Sequence, residues 1–263
     1  MADRAHSSSQ ELTKTYNSTA AYWDSFIQRG VYGYAYARLL KKLRPQFASS
    51  PGEERLRVLD CGTGCGLLLE SAVKALGYGP IELFGVDLSS TMLDRARRRL
   101  KLRGANAKLS IADIASLPFG DDEIDLVMTA LTLEHAAEPV DFLREMVRVA
   151  RPGANLILVT TRAYAPDLPY QILFRYKHFR TEQILAWMKQ AGLRDVRRQQ
   201  LAGIARLFGQ AFAGRKSGGP STKRSPLQLP FGRGRRKNED RSPLPSGEGG
   251  PPFGFAQDKL RGG

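Results

Sequence analysis

Residues 57–66 read Arg57-Val58-Leu59-Asp60-Cys61-Gly62-Thr63-Gly64-Cys65-Gly66. Arg57–Cys61 is a short apolar run that ends in an acid and a glycine, the pattern of a buried parallel strand. Glycines at 62, 64 and 66 let the backbone turn tightly and approach a ligand closely. Leu68, Ala72 and Leu76 follow at i, i+4 and i+8, so a helix over Leu67–Leu76 starts at this turn. Its unbonded N–H groups and positive dipole end then face the same crevice. A dinucleotide site would carry G-x-G-x-x-G, which counted from Gly62 requires Gly or Ala at position 67. Leu67 stands there, and the third glycine comes one residue early. The dinucleotide pattern therefore fails where its glycine allows close helix–strand packing.

Outward from this loop, strands and helices alternate. Glu82–Val86 is a second strand, and Ser89–Arg103 a helix that Ser89 or Ser90 can cap, with Met92, Ala96 and Leu100 as its inner stripe. Lys108–Ile111 and Ile124–Ala130 are the third and fourth strands. Pro139–Ala150 is a helix with Val140, Leu143 and Val147 in register, stopped by Arg151–Gly153. Asn155–Thr160 is a fifth strand. Thr181–Ala191 is a helix for which Thr181 is the expected cap and Gly192 the expected close, and Leu193–Gln199 is a sixth strand. Repeated β–α–β alternation calls for an α/β fold, a mostly parallel sheet with helices on both faces. Ligands of such sheets bind outside the carboxyl ends of the strands.

The chain has 263 residues, 42% of them apolar, enough for one large α/β domain with a small appendage. It has no run of about 18 apolar residues, and Met1–Lys14 lacks an apolar signal core, so a cytoplasmic protein without a transmembrane segment is expected. Cys61 and Cys65 exclude a disulfide framework, and no second Cys or His pair has the spacing of a metal site. The formal charge of +14 is uneven: from Ala211 onward eleven Lys and Arg face four Asp and Glu. The segment from about Gly214 to Gly263 is dominated by Gly, Pro and charge with no apolar period, which predicts disorder, with a basic nucleic-acid or membrane arm as the alternative. Arg95–Arg103 also tempts a nucleic-acid reading, but the Met92, Ala96 and Leu100 stripe makes its arginines the solvated face of a helix.

The run VLDCGTGCG resembles the D-x-G-x-G-x-G signature of class I S-adenosylmethionine (SAM)-dependent methyltransferases. GVDLSSTML, SIADIASLPFGDDEIDLV and LTLEHAAEPVDFLREMVRVARPGANLILVTT match further family blocks, the last similar to the small-molecule branch known as type 11. The resemblance covers roughly Tyr16 to Lys216. It implies a Rossmann-like fold with a mostly parallel seven-stranded sheet and an antiparallel last strand. The domains expected are a helical lid region at 1–50, a SAM-binding domain at 51–213 and a disordered basic tail at 214–263.

SAM is the cofactor the resemblance implies. Asp87 would accept both ribose hydroxyls, as an acceptor-only carboxylate can, and Asp113 would accept from the adenine amino group. Asp60 would help position the methionine end, Gly62, Gly64 and Gly66 would bring the backbone close, and Cys61, Thr63, Leu88 and Ile114 would line the same site. Tyr16 and Tyr22, in a segment similar to the family's lid helix, would close over the methionine side, where aromatic faces favour a sulfonium. Family members also commonly close the sheet with a seventh strand paired to the sixth. Ala205–Lys216 is ambiguous by period alone, and the resemblance points to a hairpin from Leu193–Gln199 to about Ala205–Ala213, with everything beyond about Gly214 unstructured.

Methyl transfer from SAM is an in-line displacement that needs a base only when the nucleophile is protonated. His135 is the candidate catalytic residue, because it follows the fourth strand, with Glu134 and His178 as further candidates. Thr-Ala-Leu-Thr-Leu follows the fourth strand in place of the Asn/Asp-Pro-Pro-aromatic motif of adenine or glutamine amino methylation, and no Pro-Cys nucleophile is present. A small organic acceptor (a metabolite, a quinone-type ring or a lipid precursor) is the leading class. Two alternatives are an RNA methyltransferase that uses the basic tail and a catalytically silent SAM-binding protein.

Overall fold

The computed structural model describes residues 32–47, 55–77, 81–162 and 177–218. The lid residues Tyr16 and Tyr22, and the segment beyond residue 218, lie outside the described residues.

Seven strands form one sheet: β1 (Leu56–Cys61), β2 (Ile81–Asp87), β3 (Ala107–Ile111), β4 (Ile124–Ala130), β5 (Ala150–Thr161), β6 (Leu193–Gln199) and β7 (Gly209–Lys216). Their order is β3-β2-β1-β4-β5-β7-β6, and β7 alone runs antiparallel, against both neighbours. Among the described residues six α-helices accompany them: α1 (Gly33–Leu43), α2 (Leu67–Leu76), α3 (Ser90–Lys101), α4 (Pro139–Val149), α5 (Thr181–Gln190) and the single turn α6 (Ala205–Phe208). Apolar residues pack in two clusters. One gathers α1, α2 and side chains such as Leu126 and Ile157; the other gathers α4, α5 and side chains such as Leu59 and Val127. Neighbouring residues of one strand thus belong to different clusters, as the two-residue period of a strand covered on both faces requires.

The expected elements form close to where the sequence places them. Ser89 caps α3, its hydroxyl accepting from the Met92 N–H at 3.1 Å. Gly192 closes α5 with φ +98°. Thr181 does not cap α5: the chain enters the helix at Arg180, whose N–H is received by Gln183 Oε1 at 2.9 Å. The Thr181 hydroxyl instead donates to Gln210 Oε1 at 2.9 Å, because β7 brings that buried amide beneath the start of the helix.

The closing hairpin exists, but its second arm is shifted. Residues 205–208, expected in the strand, form α6, and Gly214–Lys216, expected beyond the structured part, extend β7. Partner availability explains both corrections. β5 ends at Thr161, which pairs with Gly209; after one last backbone bond, from the Arg162 N–H to the Phe208 carbonyl at 2.8 Å, residues 205–207 face no paired strand and satisfy their backbone in a helical turn. At the other end Arg215 still faces Asn155 and Lys216 still faces Leu193, so the ladder continues. Lys216 also bonds Asp122 at 2.6 Å and the Ala150 carbonyl at 2.8 Å. No helix among the described residues is long and apolar enough to cross a membrane.

Candidate cofactor and acceptor site

The sheet order reverses direction at β1, with β2 on one side and β4 on the other, and the glycine loop leaves β1 there. Gly62, Gly64 and Gly66 hold φ of +72°, +49° and +80°, a region that costs any residue with a Cβ. A Cβ on Gly62 would collide with Thr132, in the turn after β4, and one on Gly66 would stand 3.0 Å from Ala96 of α3. A Cβ on Gly64 would meet nothing within 4 Å. The first and third glycines therefore serve packing, and the middle one faces open space. The loop is docked on β2, since the N–H groups of Gly62 and Thr63 both donate to the Val86 carbonyl, at 2.9 and 2.8 Å.

Three acids follow the ends of three adjacent parallel strands. Asp60, at the end of β1, is buried; its Oδ2 accepts from the Thr63 hydroxyl at 2.8 Å, and its Oδ1, also buried, has no hydrogen-bond partner among the described residues. Burial pushes its carboxyl up to about 7, the Thr63 hydroxyl pulls against that, and the nearby Asp87 charge adds to it. Asp87, at the end of β2, accepts from the Gly64 N–H at 2.8 Å and from the Ser89 N–H at 2.9 Å. Burial raises its pKa too, against the backbone donors of Ser89, Gly64 and Leu88. Asp113, after β3, is exposed and caps the turn Ile114–Ser116 through the Ala115 N–H at 2.9 Å. Ile114 is buried beside it, and Leu88 is half-buried beyond Asp87. Cys61 is buried in the core and Cys65 beneath the loop, and burial holds the Cys61 thiol well above its usual range, so it is protonated and inert.

This set fits SAM. A buried carboxylate oxygen lacking a donor suits an ammonium group, and a carboxylate held by two backbone N–H groups keeps lone pairs for a diol. An open glycine beside them leaves room for a ligand.

Residues 59–158 match the family described as methyltransferase domain. These residues carry a methyltransferase domain similar to those of class I SAM-dependent methyltransferases. Among relatives, the ubiquinone/menaquinone biosynthesis C-methyltransferase of Bdellovibrio bacteriovorus is 32% identical over 119 residues, covering 45% of this chain and 48% of that protein. The malonyl-[acyl-carrier protein] O-methyltransferase of Halorhodospira halophila is 32% identical over 164 residues, covering 61% of this chain and 50% of that protein. The chain spans about half the length of these curated relatives. In fold the methyltransferase domain resembles a SAM-dependent methyltransferase from Aquifex aeolicus, with a TM-score of 0.57 and 21% identity over 76% of this chain and 97% of that one.

On the other side of β1, the turn after β4 carries the expected acceptor residues. Glu134 is buried, and its Oε1 receives the Thr161 N–H at 2.6 Å and the Thr161 hydroxyl at 3.0 Å, tying the ends of β4 and β5 together. His135 is half-buried; desolvation, with Lys177 beside it, lowers its pKa to about 4. His178 sets Nδ1 3.2 Å from the Arg162 carbonyl. The structure thus brings Glu134 and His135 to the carboxyl edge of the sheet and joins His178 to the end of β5.

Sequence reasoning missed Thr132 and the clamp beneath Asp113. Glu145 Oε1 receives the Leu117 N–H at 2.7 Å, and Arg148 binds Glu145, Asp121 at 2.7 Å and the Phe119 carbonyl at 2.9 Å. The i,i+3 spacing of Glu145 and Arg148 was visible, but such pairs usually decorate a helix surface. Their grip on the loop after Asp113 depends on where α4 packs.

Proposed function

We propose that this chain transfers the methyl group of SAM to a small organic acceptor. One observation supports this most directly: the buried Asp60 Oδ1 has no donor among the described residues, at the mouth of a glycine loop that Asp87 and the Val86 carbonyl hold open. A ligand bearing an ammonium group and a diol completes both acids, and a nicotinamide dinucleotide offers no such cation to Asp60. The sulfonium supplies an electrophilic methyl, so the protein's tasks are to hold, orient and desolvate. Asp60 would hold the amino-acid end, Asp87 the ribose and Asp113 the adenine. Tyr16 and Tyr22 are proposed to cover the methionine side.

His135 is the proposed catalytic residue, with a narrowed role. An imidazole whose pKa sits near 4 is neutral at pH 7 and a weak proton acceptor. It would orient the acceptor by hydrogen bonding, and an acceptor with a low-pKa or unprotonated nucleophile suits such a site. The relatives named above carry C- and O-methyltransferase names.

Calorimetry on the full chain tests the cofactor: SAM and S-adenosylhomocysteine should bind saturably and NADH should not. Methyl-labelled SAM incubated with fractionated cell extract, followed by mass spectrometry, then identifies the acceptor. Saturable NADH binding with no response to SAM would sink the proposal, and label recovered only in RNA would replace the small acceptor with a nucleic acid.

A further inference from the structure

The acids described above sit at the ends of β1, β2 and β3. The same carboxyl edge continues across the sheet to β5, β7 and β6, and there the chemistry changes sign. β5 ends and β7 begins at one level, Thr161 facing Gly209, while β6 runs antiparallel to β7 and so ends at that level too, Gln199 facing Ala211. A cleft of about 440 Å³ opens where these three termini meet. Its lining includes Arg162 from the end of β5, Arg198, Gln199 and Gln200 from the end of β6, and Arg206 and Leu207 from α6. Three guanidiniums thus share one concavity with no Asp or Glu in the lining. Among the described residues none of the three is in an ion pair. Arg162 spends one N–H on the Arg206 carbonyl, at 2.9 Å, which ties β5 to α6, and no carboxylate among the described residues pairs with its charge.

Like charges gathered at one place repel one another, and a fold that gathers them without counter-charges gains most from an anion. Guanidinium forks match carboxylate and phosphate geometry, and they are desolvated more cheaply than an ammonium. Leu207 adds an apolar surface, 51% exposed, to the same wall. The neighbouring glutamines supply neutral donors and acceptors.

We infer that this cleft binds an anionic group, a carboxylate or a phosphate, carried on an apolar body, and that it anchors an acidic acceptor at the far end of the edge from the cofactor. The inference rests on the proposed methyl transfer for its assignment to the acceptor; the anion site itself stands on the cleft. It also makes sense of the shifted hairpin. By coiling into α6, residues 205–208 place Arg206 and Leu207 over the ends of β5 and β6, where a continued strand would have alternated them away from one another.

The test uses the full chain and the double substitution Arg198→Gln/Arg206→Gln, at two exposed side chains outside the cofactor residues. Two probes distinguish the anions: phenyl phosphate and octanoate. The wild-type chain should bind at least one of them at millimolar concentration, and the double variant should bind it roughly tenfold more weakly, the scale of one lost charge-assisted bond. SAM affinity and the thermal midpoint should be unchanged in the variant. The acceptor labelled from extract should be retained on an anion-exchange column, and its apparent KM should rise in the variant. Neither probe binding, equal binding by both proteins, or a labelled acceptor that passes through the column would overturn the inference. A short RNA that needs these arginines while neither probe binds would overturn it in favour of a polyanion. Failure of the wild-type chain to bind SAM would instead strike the methyltransferase proposal and leave the anion-binding result to be read separately.

Discussion

The two halves of the sheet's carboxyl edge are built on different principles. Across β1, β2 and β3 the groups are acids and backbone: Asp60, Asp87 and Asp113 stand at or just past the end of their own strand, and their bonds reach N–H or hydroxyl groups two or three residues away, with the Gly64 N–H as the longer reach. Across β4, β5, β7 and β6 the groups are long side chains from residues 132 to 210, and their bonds join distant segments, Glu134 to Thr161 and Thr181 to Gln210. A local design survives in sequence as a motif. A non-local one exists only once the strands are side by side, and so it can differ between relatives that share a cofactor.

The largest way to break this comparison is to remove β7. It lies between β5 and β6, so truncation after Leu201 strips two strands of their partner and removes the buried Phe212. We expect loss of cooperative folding in a urea melt, a cost on the order of the whole 5–15 kcal/mol that stabilises a domain. Truncation after Gly218 should leave the melt within about 0.5 kcal/mol, because the sequence beyond it carries no apolar period. Equal melts for the two truncations would mean that the acceptor half does not depend on this strand.

Gly62 is where the halves touch, through Thr132. Gly62→Ala should cost about 2–5 kcal/mol of stability, roughly 1–2 from a left-handed backbone and 1–3 from overpacking. Thr132→Ala in the same chain removes the two nearest colliding atoms and should recover part of it. Additive costs in the double-mutant cycle would show that the two turns are independent.

Asp87→Ala acts on the cofactor half alone. If Asp87 holds the ribose as proposed, losing two charge-assisted hydrogen bonds and the Gly64 anchor should weaken SAM binding by roughly 2–4 kcal/mol in calorimetry. Phenyl phosphate or octanoate binding should be untouched. Undiminished SAM affinity in a folded variant would refute the assignment.

The smallest expected effect is protonic. The folded-state value of Asp60, about 7, lies above the ordinary 3.8, so the folded chain holds this proton more tightly than the unfolded one. Asp60 therefore takes stability away progressively as pH rises from about 4 to about 7, and Asp60→Asn should flatten that part of the stability profile. An ammonium bound at Asp60 favours the ionised form, so SAM binding at pH 6.5 should release roughly three-quarters of a proton, read from calorimetry in buffers of different ionisation enthalpy. Affinity should fall by roughly 25-fold between pH 7.5 and 5.5. His135, at about 4, stays neutral over most of that range and should contribute little. No proton release would mean that Asp60 does not meet the cation.

By itself the sequence determined the β–α alternation, the parallel sheet, the glycine loop and the three acids, because each is set by bonds within a few residues and by periodicity along one element. It also determined the Ser89 cap, a bond to the residue three positions on. Only the tertiary structure decided which glycine packs and which stays open, since Thr132 and Ala96 arrive from other elements. It alone decided that Thr181 serves Gln210, that residues 205–208 coil and that β7 runs to Lys216, because those outcomes depend on which backbone groups find a partner across the sheet. The same holds for the arginine cleft. Arg162 lies far along the chain from Arg198 and Arg206, and the three meet only where three strand ends come level.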